Sequence, residues 1–163
     1  IEADRHAEAS RLLKMLPKDD PTSLLLSARV AEGLGKTTLA ATLQARALRE
    51  GPPFVRMEAA LRMVERDLAQ GKIAPAEAVR RIDRVRFLWR GGALERNALE
   101  RLAATAGAAG DVHREMAATA TLLRGFDLGP AAPPLLGRAH MRLEVALDGE
   151  RGLPLAEAAG LMW

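Results

Sequence analysis

Gly35, Lys36 and Thr37 close the stretch EGLGKTTLA, Glu32 to Ala40, in the order that ends a phosphate-binding loop. Such a loop follows G-x-x-x-x-G-K-[ST]. Its glycines let backbone N–H groups converge on phosphate, its lysine meets the charge, and its hydroxyl holds magnesium. The first glycine of that pattern falls at Val30, where a β-branched side chain resists the turn required. Glu32 would set a carboxylate beside the bound polyanion. The preceding segment, SLLLSARVAEG, is not a strand pattern: Leu24, Ala28 and Ala31 share one helical face. The nearest imitation of a magnesium-binding strand, LEVALD ending at Asp148, contains Glu144 and lies in a helical pattern. The stretch therefore reads as a corner between two helices, with Thr37 or Thr38 near the second helix start.

Other chemistry is thin. His6, His113 and His140 are far apart and have no i, i+4 histidine partner, and there is no cysteine. Thiolate metal sites and disulfides are excluded on that ground. No G-x-S-x-G or Cys–His arrangement occurs. No residue is singled out as catalytic, cofactor-binding or metal-ligating. The densest charge feature is VRRIDRVRFLWR, with Arg80, Arg81, Arg84, Arg86 and Arg90. Its first reading is a helix burying Ala78, Ile82, Val85 and Trp89, with a solvated arginine face and Arg90 favouring the helix C-terminus. Its second is a patch for a phosphate-bearing or acidic partner. Twenty arginines against four lysines lift the pI to about 9.9, yet the formal charge is only +3. Interspersed acids weigh against nucleic acid as a partner.

The elements that must position these residues are helices. Isoleucine and valine are scarce, while leucine and alanine dominate. That composition favours helix and offers no Val/Ile-rich runs for a parallel sheet. Breaks at Pro17, Gly35, Gly51-Pro52-Pro53, Gly71, Gly91-Gly92, Gly110, Gly125 and Gly152 separate segments of helix length. Asp20-Pro21 pairs a capping aspartate with a first-turn proline. About nine helices joined by short turns are expected, consecutive ones antiparallel. No run approaches the ~18 apolar residues of a membrane helix. Ile1 opens on what reads as mid-helix, which suggests a piece of a longer chain and leaves its compartment open.

The corner recurs. Around Gly35, Ala28 lies seven residues before and Ala40, Ala47 and Pro52 follow at five, twelve and seventeen. Around Gly110, Ala103 lies seven before, Asp111 follows directly and Leu122 lies twelve after. Gly71 marks a copy between them. The third copy departs at Glu115, where a small residue is expected. These spacings resemble the tetratricopeptide repeat over about 20–127, although the family's aromatic positions are mostly absent. RIDRVRFLWRG with its following helix is also similar to middle segments of long bacterial tetratricopeptide-like proteins, many of them envelope-associated.

The resemblance implies an all-α chain of antiparallel hairpins stacked as a right-handed solenoid. Helical repeats would span 1–126, with a first helix at 2–16 and hairpins at about 20–52, 53–91 and 92–126. A Pro/Gly connection at 127–137 would lead to a helical pair at 138–163. By the family's pattern the first helices line a groove for a protein or peptide, so Thr22, Arg29, Glu58, Arg62, Glu65, Asn97 and Arg101 would face it. The expected function is a non-catalytic module for protein–protein interaction or scaffolding. The alternatives are a structural spacer within a longer solenoid, and a nucleotide binder using the degenerate loop at 30–37. Periplasm, envelope and cytoplasm remain open.

Overall fold

A computed structural model of the chain describes residues 2–13, 15–17, 19–148 and 152–160, with side chains from residue 8 onward except 155 and 156. Among the described residues there are nine α-helices, one 3-10 turn and no strand. They are α1 (Glu2–Leu13), α2 (Pro21–Gly33), α3 (Thr37–Glu50), α4 (Pro53–Ala69), α5 (Pro75–Val85), α6 (Gly92–Ala109), α7 (Val112–Gly125), the 3-10 turn Gly129–Ala131, α8 (Ala132–Leu147) and α9 (Leu155–Gly160). No described helix is long and apolar enough to cross a membrane.

Local chemistry sets the boundaries. Asp20 caps α2 by accepting from the Ser23 backbone N–H at 2.9 Å, with Pro21 opening the helix. Asp111 caps α7 in the same way through Arg114 N at 3.1 Å. Each side chain satisfies a donor that the helix start would otherwise leave open. At Gly51 a Cβ would lie 2.5 Å from the Ala47 carbonyl oxygen and 2.6 Å from a Val55 methyl. Only glycine lets α3 pass so closely into α4.

The three anticipated turns share one geometry. Gly35, Gly71 and Gly110 have φ of +71°, +66° and +75°. In each, the next residue donates its N–H to the carbonyl five residues earlier: Lys36 to Ala31 at 2.8 Å, Lys72 to Asp67 at 2.8 Å, and Asp111 to Ala106 at 2.9 Å. Each glycine N–H donates to the carbonyl three residues back, at Glu32, Leu68 and Gly107. These paired bonds close the helix end when the glycine is left-handed.

The Pro/Gly stretch at 127–137 is not the extended connection expected from its composition. The 3-10 turn and α8 take up most of it, and α8 begins at Ala132 rather than near 138. Pro133 and Pro134 lie in the first turn of α8, where missing N–H groups cost nothing because those donors have no intrahelical acceptor.

The chain divides into two compact units. The first comprises 1–72 with 85–90, the second 73–84 with 91–163. The segment 53–91, expected as one hairpin, is thus shared between them. In the first unit α1 packs on α2, α2 on α3, α3 on α4 and α2 on α4. An ion pair from Asp19, just before α2, to Arg46, near the end of α3, shows that the two helices run antiparallel. Leu24, Leu25, Ala47, Val55 and Ala59 form a core flanked by Leu43 and Leu48. Ala28, Ala40 and Ala47 are wholly buried, as helix crossings between small side chains require. Met57 and Leu61 are also wholly buried, each contributing roughly 1.5–3 kcal/mol by leaving water.

In the second unit α6 packs on α7 and α7 on α8. Leu99, Leu102, Ala106, Ala118 and Leu122 are buried. Glu115 replaces the small residue of the repeat pattern, and Gly107 opposite makes room: a Cβ there would lie 3.0 Å from Glu115 Oε1. The Glu115 carboxylate receives Arg142 of α8 at 3.0 Å, so the larger side chain ties α7 to α8.

Candidate functional site

The corner at Gly35 has its backbone donors already committed. Leu34 N donates to Val30, Gly35 N to Glu32, Lys36 N to Ala31 and Thr37 N to Gly35. These are the amides a phosphate loop would offer to its ligand. The element before them is α2, a helix. Lys36 is exposed and makes no side-chain cap bond.

A polar network lies instead where α2, α3 and α4 meet in the first unit. Gln44 on α3 is 0% exposed. Its amide donates to Glu32 Oε1 on α2, and its oxygen accepts from Arg66 Nη1 on α4. The other Glu32 oxygen receives Arg62 Nη1 of α4 at 3.5 Å. Arg62 Nε donates to Glu58 Oε1, one turn earlier, at 2.8 Å. The Glu58, Arg62 and Arg66 side chains are 18%, 21% and 18% exposed. Such half-buried, mutually bonded charges are held in place more firmly than surface pairs, because water screens them less.

Of the seven residues expected on a partner face, Glu58 and Arg62 enter this network. Thr22 and Arg29 are exposed on α2, seven residues apart, and Glu65 is exposed on α4 seven residues after Glu58. Asn97 and Arg101 lie on α6 in the second unit, four residues apart and partly buried. Spacings of four and seven keep each set on one side of its helix. Glu32, Gln44 and Arg66 were not singled out by sequence. Gln44 carried one usable signal: it is a polar residue midway between Ala40 and Ala47 in the α3 stripe.

The second unit holds a smaller cluster. Arg114 on α7 bonds Asp111 at 2.8 Å and Asp83 of α5 at 3.0 Å. Its guanidinium pKa is raised, chiefly by the Asp111 bond and then by Asp83. Glu77 on α5 receives Arg81 at 2.8 Å and Arg80 at 2.7 Å. Those hydrogen bonds, Arg81 first, hold its pKa below the ordinary carboxylate value. In the first unit, Arg46 is raised by Asp19 and then Glu50.

The arginine run departs from its expected form at one end. Ala78 and Ile82 are buried as anticipated, but α5 stops at Val85. The helical stripe does not reach Trp89, which is 42% exposed, and Arg90 is not at a helix terminus. Trp89 instead meets Phe54 of α4 edge-on, with centroids 5.8 Å apart. Phe87 lies beneath the guanidinium groups of Arg86 and Arg90, 4.1 and 4.8 Å from its centroid.

Among the described residues no cluster of three metal-ligating side chains occurs. The His6 side chain and Trp163 lie outside the described residues. No protein-family model, no curated protein and no solved structure matches the chain.

Proposed function

We propose that this chain is a non-catalytic helical-repeat module, tetratricopeptide-like in its stacking, that binds a protein or peptide along the side of its first helices. The observation that carries this reading is the Glu58–Arg62–Glu32 chain of bonds linking α4 to α2. It holds charged groups in fixed positions on α2 and α4, the helices that also carry exposed Thr22, Arg29 and Glu65. Preorganised polar groups lose little rotamer freedom when a partner arrives. The shared left-handed turns at Gly35, Gly71 and Gly110 support a repeated hairpin plan. The committed amides at 34–37 count against the nucleotide-binding alternative.

Site-specific photo-crosslinking in cells of the source organism tests the reading. A crosslinker replaces Thr22, Arg29 or Glu65 in turn, with exposed Arg49 on α3 as the comparison. A discrete adduct from the first-helix positions and none from Arg49 is expected. Equal labelling from Arg49, or no adduct at any position, would leave the module a spacer.

A further inference from the structure

Two apolar surfaces of the chain lie open to solvent, and they are opposite in shape and charge. On the first unit, Leu12 and Leu13 of α1 and Leu16 just beyond it face Leu26, Arg29 and Val30 of α2 across a groove of about 480 Å³. Leu12 and Leu16 are exposed. Arg29 is the one charged side chain lining the groove among the described residues. It is itself exposed and holds no ion pair within them. On the second unit, α8 turns one side inward, where Ala146 is buried and Arg142, one turn earlier, pairs with Glu115 of α7. Leu136, Met141, Val145 and Leu147 lie over the rest of its surface, between 44% and 60% exposed. Glu144 stands among them, also exposed, and its ion pair to His140 spans 3.8 Å.

We propose that the chain associates with copies of itself head to tail, the outer face of α8 in one copy seated in the α1–α2 groove of the next, with Glu144 against Arg29. A groove between two helices takes a third helix, whose side-chain ridges fill it. The outer face of α8 is such a surface, and its leucines, methionine and valine are the groove's apolar match. Glu144 and Arg29 give the contact its register, because opposite charges meet only when the helix lies in one position. Groove against groove would set Arg29 beside Arg29 and leave both hollows empty, so the complementary pairing is heterologous and can extend from copy to copy. Helical hairpins stack by the same burial of one unit's face against the next.

Sedimentation of the 163-residue chain from about 10 µM to 1 mM tests this, a range that registers contacts at the weak end of specific interfaces. The wild type should grow in mass past the dimer as concentration rises. Leu12→Glu spoils the groove and Val145→Glu spoils the α8 face, both at exposed positions. Each variant alone should stay monomeric with circular dichroism unchanged, and a mixture of the two should form a complex of one copy of each and stop there, since one intact groove meets one intact α8. Leu16→Glu and Met141→Glu replace either variant that fails to fold. Arg29→Glu should weaken the wild-type association, and Arg29→Glu/Glu144→Arg should restore it. A wild type that stays monomeric throughout, a Leu12→Glu chain that still associates through α8 alone, or a mixture that stays monomeric would overturn the proposal. The module reading does not depend on this contact: crosslinking from Thr22 or Glu65 to a different protein would stand after any of those results.

Discussion

Arg66 on α4 donates through Nη1 to the side-chain oxygen of Gln44 on α3, a residue with no exposed surface. The same amide donates to Glu32 on α2, so one neutral side chain separates a cation from an anion and bonds both. Gln44→Leu keeps much of the volume and removes both bonds. Two half-buried charged groups then lose a partner, a loss of roughly 1–3 kcal/mol. Urea unfolding should show it as a lower midpoint with an unchanged slope. A neutral result would mean that water replaces the amide without cost.

Where the backbone chooses its own conformation, the sequence was readable. Capping aspartates, turn glycines and the buried alanines act within a few residues, and Asp20, Gly35, Gly71, Gly110, Ala40 and Ala47 sit as anticipated. The network was not readable, because it depends on which faces of three helices meet. The reading of Trp89 failed for a definite reason. A periodic stripe predicts burial only while the helix lasts, and α5 ends four residues too early. The prolines of α8 misled in the opposite sense, since a proline that breaks a helix interior is harmless in a first turn. Glu115 looked like a defect in the repeat. Yet Glu32 and Gly107 lie three residues before their turn glycines, and Ala40 and Glu115 five after. The large and small members are exchanged between the two hairpins.

Ala47→Leu tests the tightness of the crossing. Ala47 has no exposed surface and belongs to the core with Leu24, Leu25, Val55 and Ala59. Extra carbons have no space, so overpacking should cost roughly 1–3 kcal/mol. Thermal unfolding measures it. An unchanged melting temperature would show that α3 can shift away from its neighbours without loss.

The turn glycines provide an internally controlled set. A Cβ added at Gly35, Gly71 or Gly110 would find nothing within 4 Å. Any cost of alanine there comes from the left-handed backbone alone, about 1–2 kcal/mol at each site. Three similar losses in denaturant unfolding are expected. Widely different values would mean that the shared geometry does not carry a shared energy.

Glu77 gives a pH dependence with a definite sign. Its pKa is lowered in the folded chain by hydrogen bonds from Arg81 and Arg80. The ionised form is therefore favoured by folding. Its contribution is present above the unfolded carboxylate pKa and disappears as the pH falls through the folded value. Stability should decline on acidification, and Glu77→Gln should remove part of that decline while matching the wild type at low pH. Unfolding midpoints measured across the acidic range decide it. Identical slopes for the two proteins would show that the arginines follow solvent rather than Glu77.

The Gly35-Lys36-Thr37 corner allows a sharper test, because its two readings oppose each other. As a helix corner, Lys36 is an exposed side chain before α3. Its charge opposes the helix dipole by only about 0.3–1 kcal/mol, so Lys36→Ala should leave stability almost unchanged or raise it slightly. ATP or GTP with magnesium should not move the melting temperature. A phosphate loop would bind nucleotide through the amides of residues 34–37, yet each of these already donates within the turn. Ligand at a hundredfold excess over its dissociation constant would add roughly 2.7 kcal/mol. To do so it would first have to break the bond from Lys36 N to Ala31 that closes α2. Gly35 is required by both readings and cannot separate them, so the comparison must be made at Lys36. A nucleotide-dependent rise in melting temperature that vanishes in Lys36→Ala would mean that the corner opens to a ligand, and would overturn the choice of a non-catalytic module.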